Sequence, residues 1–248
     1  MFEIDHVPIG HRDLDRLASA FEALGFTVSR VCRYESPDQP DEAWTCRAVF
    51  LQHGWLDLQA HPDAPPDRAA TPHGCLFRAP SPGEAASGLP AFRTGPPERL
   101  VRRWPDDEAP PLPLTWMSLR ERIAPLVLAL VEYAGADASQ GLGRPHPNTA
   151  HRLLGLAFGG AAPGPGAQAA AAWLALSGFR YLPEPRFAER FGACDGPQVA
   201  LRFGVASLDA AIACLRAAGV PFHLWEGALT VPAHGPLRCG VEFALTSG

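Results

Sequence analysis

Lysine is absent from this 248-residue sequence, in which all 21 basic residues are arginines. The absence excludes enzymes that use a lysine Schiff base and proteins whose phosphate-binding loop needs a lysine. Asparagine occurs once, at Asn148. Scarcity of both residue types beside abundant alanine, glycine, proline and arginine is typical of GC-rich coding, so we draw no functional conclusion from it.

Cysteine pairs and long apolar runs are lacking as well. The six cysteines have neither a CxxC pair nor zinc-finger spacing, which predicts reduced thiols instead of a disulfide framework or a structural zinc site. The longest apolar run, residues 123–131, is far too short to span a bilayer, and the amino terminus lacks a signal-peptide pattern. The net charge of -5 comes without a basic stripe. We therefore expect a cytoplasmic globular protein that binds neither membranes nor nucleic acids.

A strand–helix–strand pattern is present and recurs along the chain. In residues 2–31 an apolar strand precedes Asp13 as a helix cap, apolar residues follow at helical spacing, and Gly25 ends the helix. Residues 199–225 repeat this order, with Ser207 as the cap and Gly219 as the stop. Two weaker copies lie around residues 152–182, with the alanine-rich helix QAAAAWLAL, and 75–94.

Strand-like segments follow these units, at residues 45–60 and 227–245. Each unit therefore predicts a strand, a helix and about three further strands. Two such units side by side can curl their sheets into a half-open barrel, with helices outside and alternate strand residues pointing into a cavity. A binding cleft would come with this fold.

Several short motifs occur in a characteristic order: IDHVPI, WLDLQA, LPLTW, HPNTA at 146–150, ALRFGV and GVEFAL. With this order and spacing the chain resembles the vicinal oxygen chelate superfamily, which includes glyoxalases, extradiol dioxygenases and fosfomycin or bleomycin resistance proteins. It is most similar to the two-domain branch of glyoxalase-like proteins. The resemblance implies an α+β fold in which repeated βαβββ modules pair into half-open barrels.

The resemblance also implies two tandem domains, at residues 1–120 and 151–248, joined by a linker at 121–150. Within the linker, the segment that follows Pro125 is apolar at irregular spacing. We predict that residues 126–133 form a short helix that bridges the domains.

Metal-dependent members of the superfamily carry their ligands on the first and last strands of paired modules. By resemblance, His6 occupies a first-strand ligand position and Asp57 a last-strand position. An imidazole and a carboxylate suit Zn, Mn, Fe or Ni. The resemblance therefore implies a divalent metal, with His73 or water completing the ligand shell, and we expect His6 and Asp57 to face one cavity.

The partner module offers fewer ligands. Its first strand carries only Gly74 or Cys75 at the matching depth, and its last strand, taken as LPLTW, carries Thr115. A purely structural role thus stays open: His6 can be a hydrogen-bonded core residue of an apolar strand, and Asp57 can be a solvent-facing strand residue.

In the second domain, Glu242 stands at the last-strand carboxylate position, while Gly155 replaces the first ligand. Arg202 lies on the same strand face as the first-ligand position of its own module. We favour a buried ion pair between Arg202 and Glu242, because a buried carboxylate without a metal needs a cationic partner. Contact between these two side chains and a bound substrate is the alternative.

The segment RPHPNTAHR can close over the first cavity, with His146 as a catalytic proton carrier and Asn148 as a substrate contact. Turn formation alone also explains its prolines and its asparagine. Trp55 and Trp116 can line the cleft, although core packing is the default for aromatic residues on strands.

Two classes of function follow. The first is a metal-assisted lyase, isomerase or dioxygenase, in which the ion acts as a Lewis acid on a small oxygenated substrate. The second is a metal-free protein that binds or sequesters a small molecule. In both cases the partner is a small-molecule ligand, and we expect a monomer or a homodimer.

Overall fold

A computed structural model of the protein describes residues 3–39, 43–64, 70–79, 94–104, 111–123, 126–134, 143–160, 178–193 and 198–247. The helices in these ranges are α1 (Leu14–Ala23), α2 (Glu184–Phe191) and α3 (Leu208–Ala217). The strands are β1 (Ile4–His11), β2 (Cys32–Glu35), β3 (Ala43–Phe50), β4 (Trp55–Ala60), β5 (Thr71–Pro72), β6 (Gly74–Arg78), β7 (Thr94–Arg103), β8 (Leu112–Ile123), β9 (Leu126–Tyr133), β10 (Ala150–Gly159), β11 (Arg180–Leu182), β12 (Val199–Val205), β13 (His223–Trp225), β14 (Ala228–Val231) and β15 (Gly240–Leu245).

The amino-terminal strands form one mixed sheet that closes on itself. Its order is β4-β3-β2-β7-β8-β9-β6-β1-β5, and β4 also pairs with β1, so that eight of these nine strands make a barrel. The pairs β1–β4 and β6–β9 are parallel. Side chains that alternate toward the inside therefore converge from strands that are distant in sequence.

The carboxyl-terminal strands form a six-stranded sheet in the order β11-β10-β12-β15-β14-β13, which curls into a half-barrel. Strands β12 and β15 pair in parallel, as β1 and β4 do in the barrel. The prediction of an α+β fold built from two tandem arrangements of related modules is confirmed.

The two best-defined repeats owe their shape to matching helix caps. The Asp13 side chain accepts a hydrogen bond from the Arg16 N–H at 2.9 Å, and Ser207 accepts one from the Ala210 N–H at 3.2 Å. Past the other end of α1, Gly25 has a φ of 83°, which a residue with a Cβ adopts only with strain. Residues 4–60 and 199–245 each run strand, helix and three strands, as predicted.

The described residues cover only parts of the other two units. The second supplies β6 and then β7 to β9, and the third supplies β10, β11 and α2, a helix that the sequence analysis did not predict. The segment 80–93 and the predicted helix QAAAAWLAL at 168–176 lie outside the described residues.

The predicted bridging helix is wrong, because residues Leu126–Tyr133 form strand β9. This strand lies between β6 and β8, so both of its neighbours are strands of the barrel. A central strand can be apolar throughout, and a short apolar run does not distinguish such a strand from a buried helix. The amino-terminal sheet thus extends to Tyr133. The last strand of the second module is β9, and Thr115 lies on the preceding strand β8.

The two sheets share one hydrophobic core. Phe26, which follows α1, lies with its ring centroid 4.8 Å from that of Phe203 on β12 and 5.9 Å from that of Phe243 on β15. No helix within the described ranges is long and apolar enough to cross a membrane.

Candidate functional site

The barrel encloses a cavity of about 410 Å³. Both His6 and Asp57 line it, as expected, and so do His73 and Trp116. Most of the wall is apolar or aromatic, with Tyr34, Trp44, Leu100, Leu114 and Ala129 among its residues. A mainly apolar cavity with a few converging polar groups is typical of a small-molecule site.

His6 is fixed by its neighbour in the chain. Its Nδ1 lies 2.7 Å from Asp5 Oδ2, and both side chains are almost completely buried. The Trp55 ring stacks on the imidazole with centroids 4.2 Å apart, and its indole N–H donates to Asp5 Oδ2 at 3.2 Å. Because a carboxylate only accepts hydrogen bonds, the contact between Asp5 Oδ2 and His6 Nδ1 places the proton of the neutral ring on Nδ1 and the lone pair on Nε2.

Asp5 is the centre of a charged cluster beneath the cavity. Arg78 donates to its Oδ1 through Nε at 3.1 Å, and the Tyr133 hydroxyl donates to its Oδ2 at 2.5 Å. Burial acts to raise the pKa of Asp5, but the contacts with His6 and Tyr133 and the charge of Arg78 lower it overall. Asp5 is therefore a carboxylate that holds the His6 imidazole in one tautomer.

Asp57 is in the opposite electrostatic situation. Its Oδ2 accepts a hydrogen bond from Gln59 Nε2 at 2.7 Å, whereas its buried Oδ1 has no hydrogen-bond partner among the described residues. Burial raises the pKa of Asp57 above its ordinary value, against the opposing effects of His6 and Gln59. The surroundings of the two carboxyl groups near His6 thus shift their pKa values in opposite directions, down for Asp5 and up for Asp57.

Comparisons with known proteins agree with this architecture. No protein-family model and no curated protein matches the sequence. Among solved structures, a variant of 4-hydroxymandelate synthase from Streptomyces coelicolor gives a TM-score of 0.58 at 13% identity, over 100% of this chain and 93% of the other. A hypothetical protein from Staphylococcus aureus gives 0.62 at 5% identity, over 99% and 100%.

A third match is a xylose isomerase-like TIM barrel/4-hydroxyphenylpyruvate dioxygenase fusion protein, with a TM-score of 0.52 at 10% identity over 99% of this chain and 49% of the other. The chain has the vicinal oxygen chelate fold. The resemblance seen in the sequence is thereby confirmed for the fold.

Within this fold, the register of the strands shows which residues of the second module correspond to His6 and Asp57 of the first. The parallel pair β6–β9 repeats the pair β1–β4. If Gly74 is matched to His6, the registers match Ala129 to Asp57, and all four residues line the cavity. The second module therefore offers a glycine and an alanine, which have no donor side chain, where the first offers an imidazole and a carboxyl group.

The residues present do not fit a divalent metal held by the barrel. His73 lies in the same cavity, but its Nε2 is 3.2 Å from Gln59 Oε1, and Gln59 stands between His73 and Asp57. No group of three histidine, cysteine, aspartate or glutamate side chains in the described part of the chain could hold a metal ion. His6 and Asp57 supply two donors, fewer than the three protein ligands of a catalytic zinc site.

The structure places His146 and Asn148 away from the cavity, at the junction of the two sheets. His146 Nδ1 accepts the Thr27 N–H at 2.9 Å, and its Nε2 donates to the Phe50 carbonyl at 3.0 Å. Asn148 donates to the Leu24 carbonyl at 2.9 Å and accepts from the Ala150 N–H at 3.0 Å. Both ring nitrogens of His146 are thus engaged with backbone, which leaves none for proton transfer to a substrate.

The two candidate tryptophans have different positions. Trp116 lines the cavity and donates through its indole N–H to Glu98 at 3.1 Å. Trp55 packs under His6 as described above, and its contact with Asp5 makes it a support of the His6 geometry.

Arg202 and Glu242 form the predicted ion pair inside the half-barrel. They are register partners on β12 and β15, and Arg202 Nε lies 3.2 Å from Glu242 Oε1. A third member, which the sequence did not indicate, is Arg190 on α2, and it lies 2.7 Å from Glu242 Oε2. These contacts occupy both carboxylate oxygens of Glu242.

Asp5 and Tyr133 were likewise not predicted from the sequence. Strict strand alternation puts Asp5 on the face opposite to His6, and Tyr133 belonged to a segment predicted as a helix. The only signal for Asp5 was its position beside His6, since a carboxylate next to a candidate imidazole is a candidate orienting group.

Proposed function

We propose that the chain is an enzyme that moves a proton on a small, oxygenated, mainly apolar metabolite bound in the amino-terminal cavity, in an isomerase-type or lyase-type reaction. The observation that carries this proposal is the Asp5–His6 pair at 2.7 Å, with the imidazole facing an apolar cavity. A histidine oriented by a buried carboxylate is an effective general base. Such a pair has no evident use in a protein that only sequesters a ligand.

The arrangement suits proton abstraction from a carbon next to a carbonyl group. The lone pair on His6 Nε2 accepts the proton, and the electron pair of the C–H bond moves toward the carbonyl oxygen. Asp57 in its neutral form can donate a hydrogen bond to that oxygen, which stabilises the enolate in a medium of low dielectric constant. Return of the proton from His6 to the same or the neighbouring carbon completes an isomerisation.

Proton exchange tests this proposal without knowledge of the natural substrate. A panel of small aromatic ketones, hydroxyketones and 1,3-dicarbonyl compounds is incubated with the protein in D₂O, and loss of the C–H signal is followed by NMR. We expect exchange of at least one compound that falls about 10²–10⁴-fold in His6→Gln. His223→Asn, which changes a histidine of the other sheet, is the matched control and should exchange at the wild-type rate.

The same assay decides between the metal-free mechanism and a metal at His6, Asp57 and His73. Protein treated with chelator should exchange as fast as untreated protein. Exchange that is lost on chelation and restored by Zn, Mn, Fe or Ni would overturn the metal-free mechanism. Exchange that is absent, or equal in His6→Gln and wild type, would overturn the proposal as a whole.

A further inference from the structure

Arg102 on β7 is a buried cation that has no ion pair among the described residues. Arg102 is 1% exposed, and its Nε has no hydrogen-bond partner in the described ranges. The guanidinium carbon lies 5.3, 5.2 and 5.4 Å from the ring centroids of Phe50, Trp55 and Trp104. Aromatic faces therefore surround it.

A buried charge with no ion pair in the described part of the chain is costly to the fold. Attraction to aromatic faces offsets only part of the cost of removing a guanidinium group from water. Arginine cannot escape the cost by losing its proton. A cation kept at such a place, where an apolar residue of similar volume would fit, is expected to act on something nearby.

The amino-terminal cavity lies next to Arg102. Arg102 is the register partner of Tyr34 on β2, and Tyr34 lines the cavity, stacked on Trp44 with centroids 5.1 Å apart. Leu100, two residues before Arg102 and so on the same strand face, lines the cavity as well. The charge thus lies on the inner side of the barrel, beside the aromatic residues of the cavity wall, where low polarity lets its field reach the cavity with little screening.

The described cavity wall holds one carboxyl group, Asp57, beside Tyr34 and the histidines His6, His61 and His73. Asp57 is already engaged, because its Oδ2 accepts a hydrogen bond from Gln59 at 2.7 Å. Asp5 is already matched by Arg78. The balance favours negative charge on whatever fills the cavity.

We infer that the amino-terminal cavity accepts a flat, mainly apolar compound with a weakly acidic oxygen, such as an enolisable 1,3-dicarbonyl compound or a phenol, and favours its anion through the charge of Arg102. Arg102 is then a positioning residue that acts across Tyr34. The inference rests on the proposed function for the choice of site and names the substrate class of that site. It also gives the enolate of the proposed reaction a stabilising charge.

A chromophoric phenol tests this inference by binding alone. The absorbance of 4-nitrophenol differs between the neutral and ionised forms, so its ionisation on the protein can be followed as a function of pH. On the wild-type protein we expect the bound probe to ionise at lower pH than the free probe, which corresponds to a preference for the anion of about tenfold or more. In Arg102→Met the preference should disappear, while 4-nitroanisole, which cannot ionise, should bind both proteins equally.

Matched variants keep the result interpretable. Arg103 is the exposed neighbour of Arg102 and pairs with Glu35. Arg103→Met should leave the ionisation of the probe at the wild-type value. Arg102→Lys retains the charge and should retain part of the preference, and Arg102→Gln replaces the Met variant if that one does not fold. A bound probe that stays neutral, an unchanged preference in Arg102→Met or Arg102→Gln, or no competition between 4-nitrophenol and 4-nitroanisole would each overturn the inference.

The two tests fail separately. Proton exchange that depends on His6, together with an unshifted nitrophenol, would remove the role of Arg102 and leave the proposed function standing. If bound 4-nitrophenol ionises at lower pH but no proton exchange occurs, the inferred ligand class would stand and the proposed enzymatic function would be rejected.

Discussion

Asp5 and His6 are neighbours in the chain, yet the Oδ2 atom of Asp5 lies 2.7 Å from the Nδ1 atom of His6. A regular strand would send the two side chains to opposite faces of the sheet. The pairing of β1 with β6 shifts its register between Ile4 and His6, and such an irregularity re-aims side chains locally. The bulge therefore creates the carboxylate–imidazole pair that the proposed reaction needs.

Replacing Asp5 should destabilise the protein strongly at neutral pH. Burial opposes ionisation of Asp5, but the hydrogen bonds and positive charges around it win and lower its pKa. A lowered folded-state pKa gives stability that is present above the unfolded value and lost as the pH falls through the folded value. Asp5→Asn removes the buried carboxylate that accepts from Trp55, Tyr133 and Arg78, and we expect a loss of about 3–5 kcal/mol at pH 7.

Urea unfolding at pH 7 and in acid checks this expectation. The difference between wild type and Asp5→Asn should shrink in acid, because the wild-type carboxylate is then protonated as well. Asp38→Asn, at an exposed ion pair with Arg99, is the control and should unfold like the wild type. A difference that does not change with pH would contradict the ionised state of Asp5.

A second prediction concerns His146, whose hydrogen bonds to Thr27 and Phe50 require the neutral ring. Burial lowers the pKa of His146, and the bond to the Phe50 carbonyl opposes this effect only in part. Its contribution to stability should therefore be complete above the unfolded pKa and decline as the pH falls toward the folded pKa. His146→Ala should cost about 2–4 kcal/mol at pH 7.5, since the buried Phe50 carbonyl and the partly buried Thr27 N–H lose their partner.

The measurement is the free energy of unfolding in urea at pH 7.5 and pH 5. We expect the wild type to lose more stability than His146→Ala between these two values. Proton exchange on the ketone panel should persist in the folded variant, because His146 does not line the cavity. A folded variant without proton exchange would instead indicate the catalytic role that the sequence suggested.

Some of this site could be predicted from the sequence and some could not. The position of His6 and Asp57 at the cavity could be predicted because their strands carry recognisable motifs and because inward positions on adjacent strands converge. The aromatic wall was found only in part, since Tyr34 and Trp44 reach the cavity through the curl of the barrel. Asp5 was missed because local periodicity does not reveal a bulge, which depends on the partner strand.

The strand β9 shows the same limit at the level of the fold. Its apolar residues satisfy a helix and a central strand equally well, and only pairing with β6 and β8 decides between them. That decision also moved the last-strand ligand position from Thr115 to Ala129. Helix caps, in contrast, are local interactions, and the caps at Asp13 and Ser207 were predicted correctly.

A third prediction follows from the position of Glu242 between two arginines. Glu242→Gln leaves the buried Arg190 and Arg202 facing each other without a full countercharge, and should cost about 3–5 kcal/mol. Arg202→Met should cost less, because Arg190 still neutralises Glu242. Arg186→Met, at an exposed ion pair of the same region, is the control and should change stability by less than about 1 kcal/mol.

A double-mutant cycle in urea measures the coupling of Glu242 and Arg202. The combined variant should cost less than the sum of the two single changes. Losses that simply add would show that the two side chains do not share one electrostatic network.

The last prediction is that Asp57→Asn makes the protein more stable and less active. Burial raises the pKa of Asp57, so ionisation of this carboxyl group opposes folding. For a raised folded-state pKa, stability is fully present below the unfolded pKa and is lost as the pH rises through the folded pKa. Asn retains the acceptor for Gln59 and cannot ionise, so at pH 8 the variant should melt a few degrees higher, which corresponds to about 1 kcal/mol. At a pH below the unfolded pKa of a carboxyl group the two proteins should melt alike.

Proton exchange should fall in Asp57→Asn, because the variant lacks the acid that donates to the carbonyl oxygen. Functional groups of this kind are often kept at the expense of stability. Thermal unfolding at the two pH values, followed by the exchange assay, checks both halves. A variant that is less stable at pH 8 would show that the Asp57 carboxylate is matched by a positive charge, with Arg102 the first candidate.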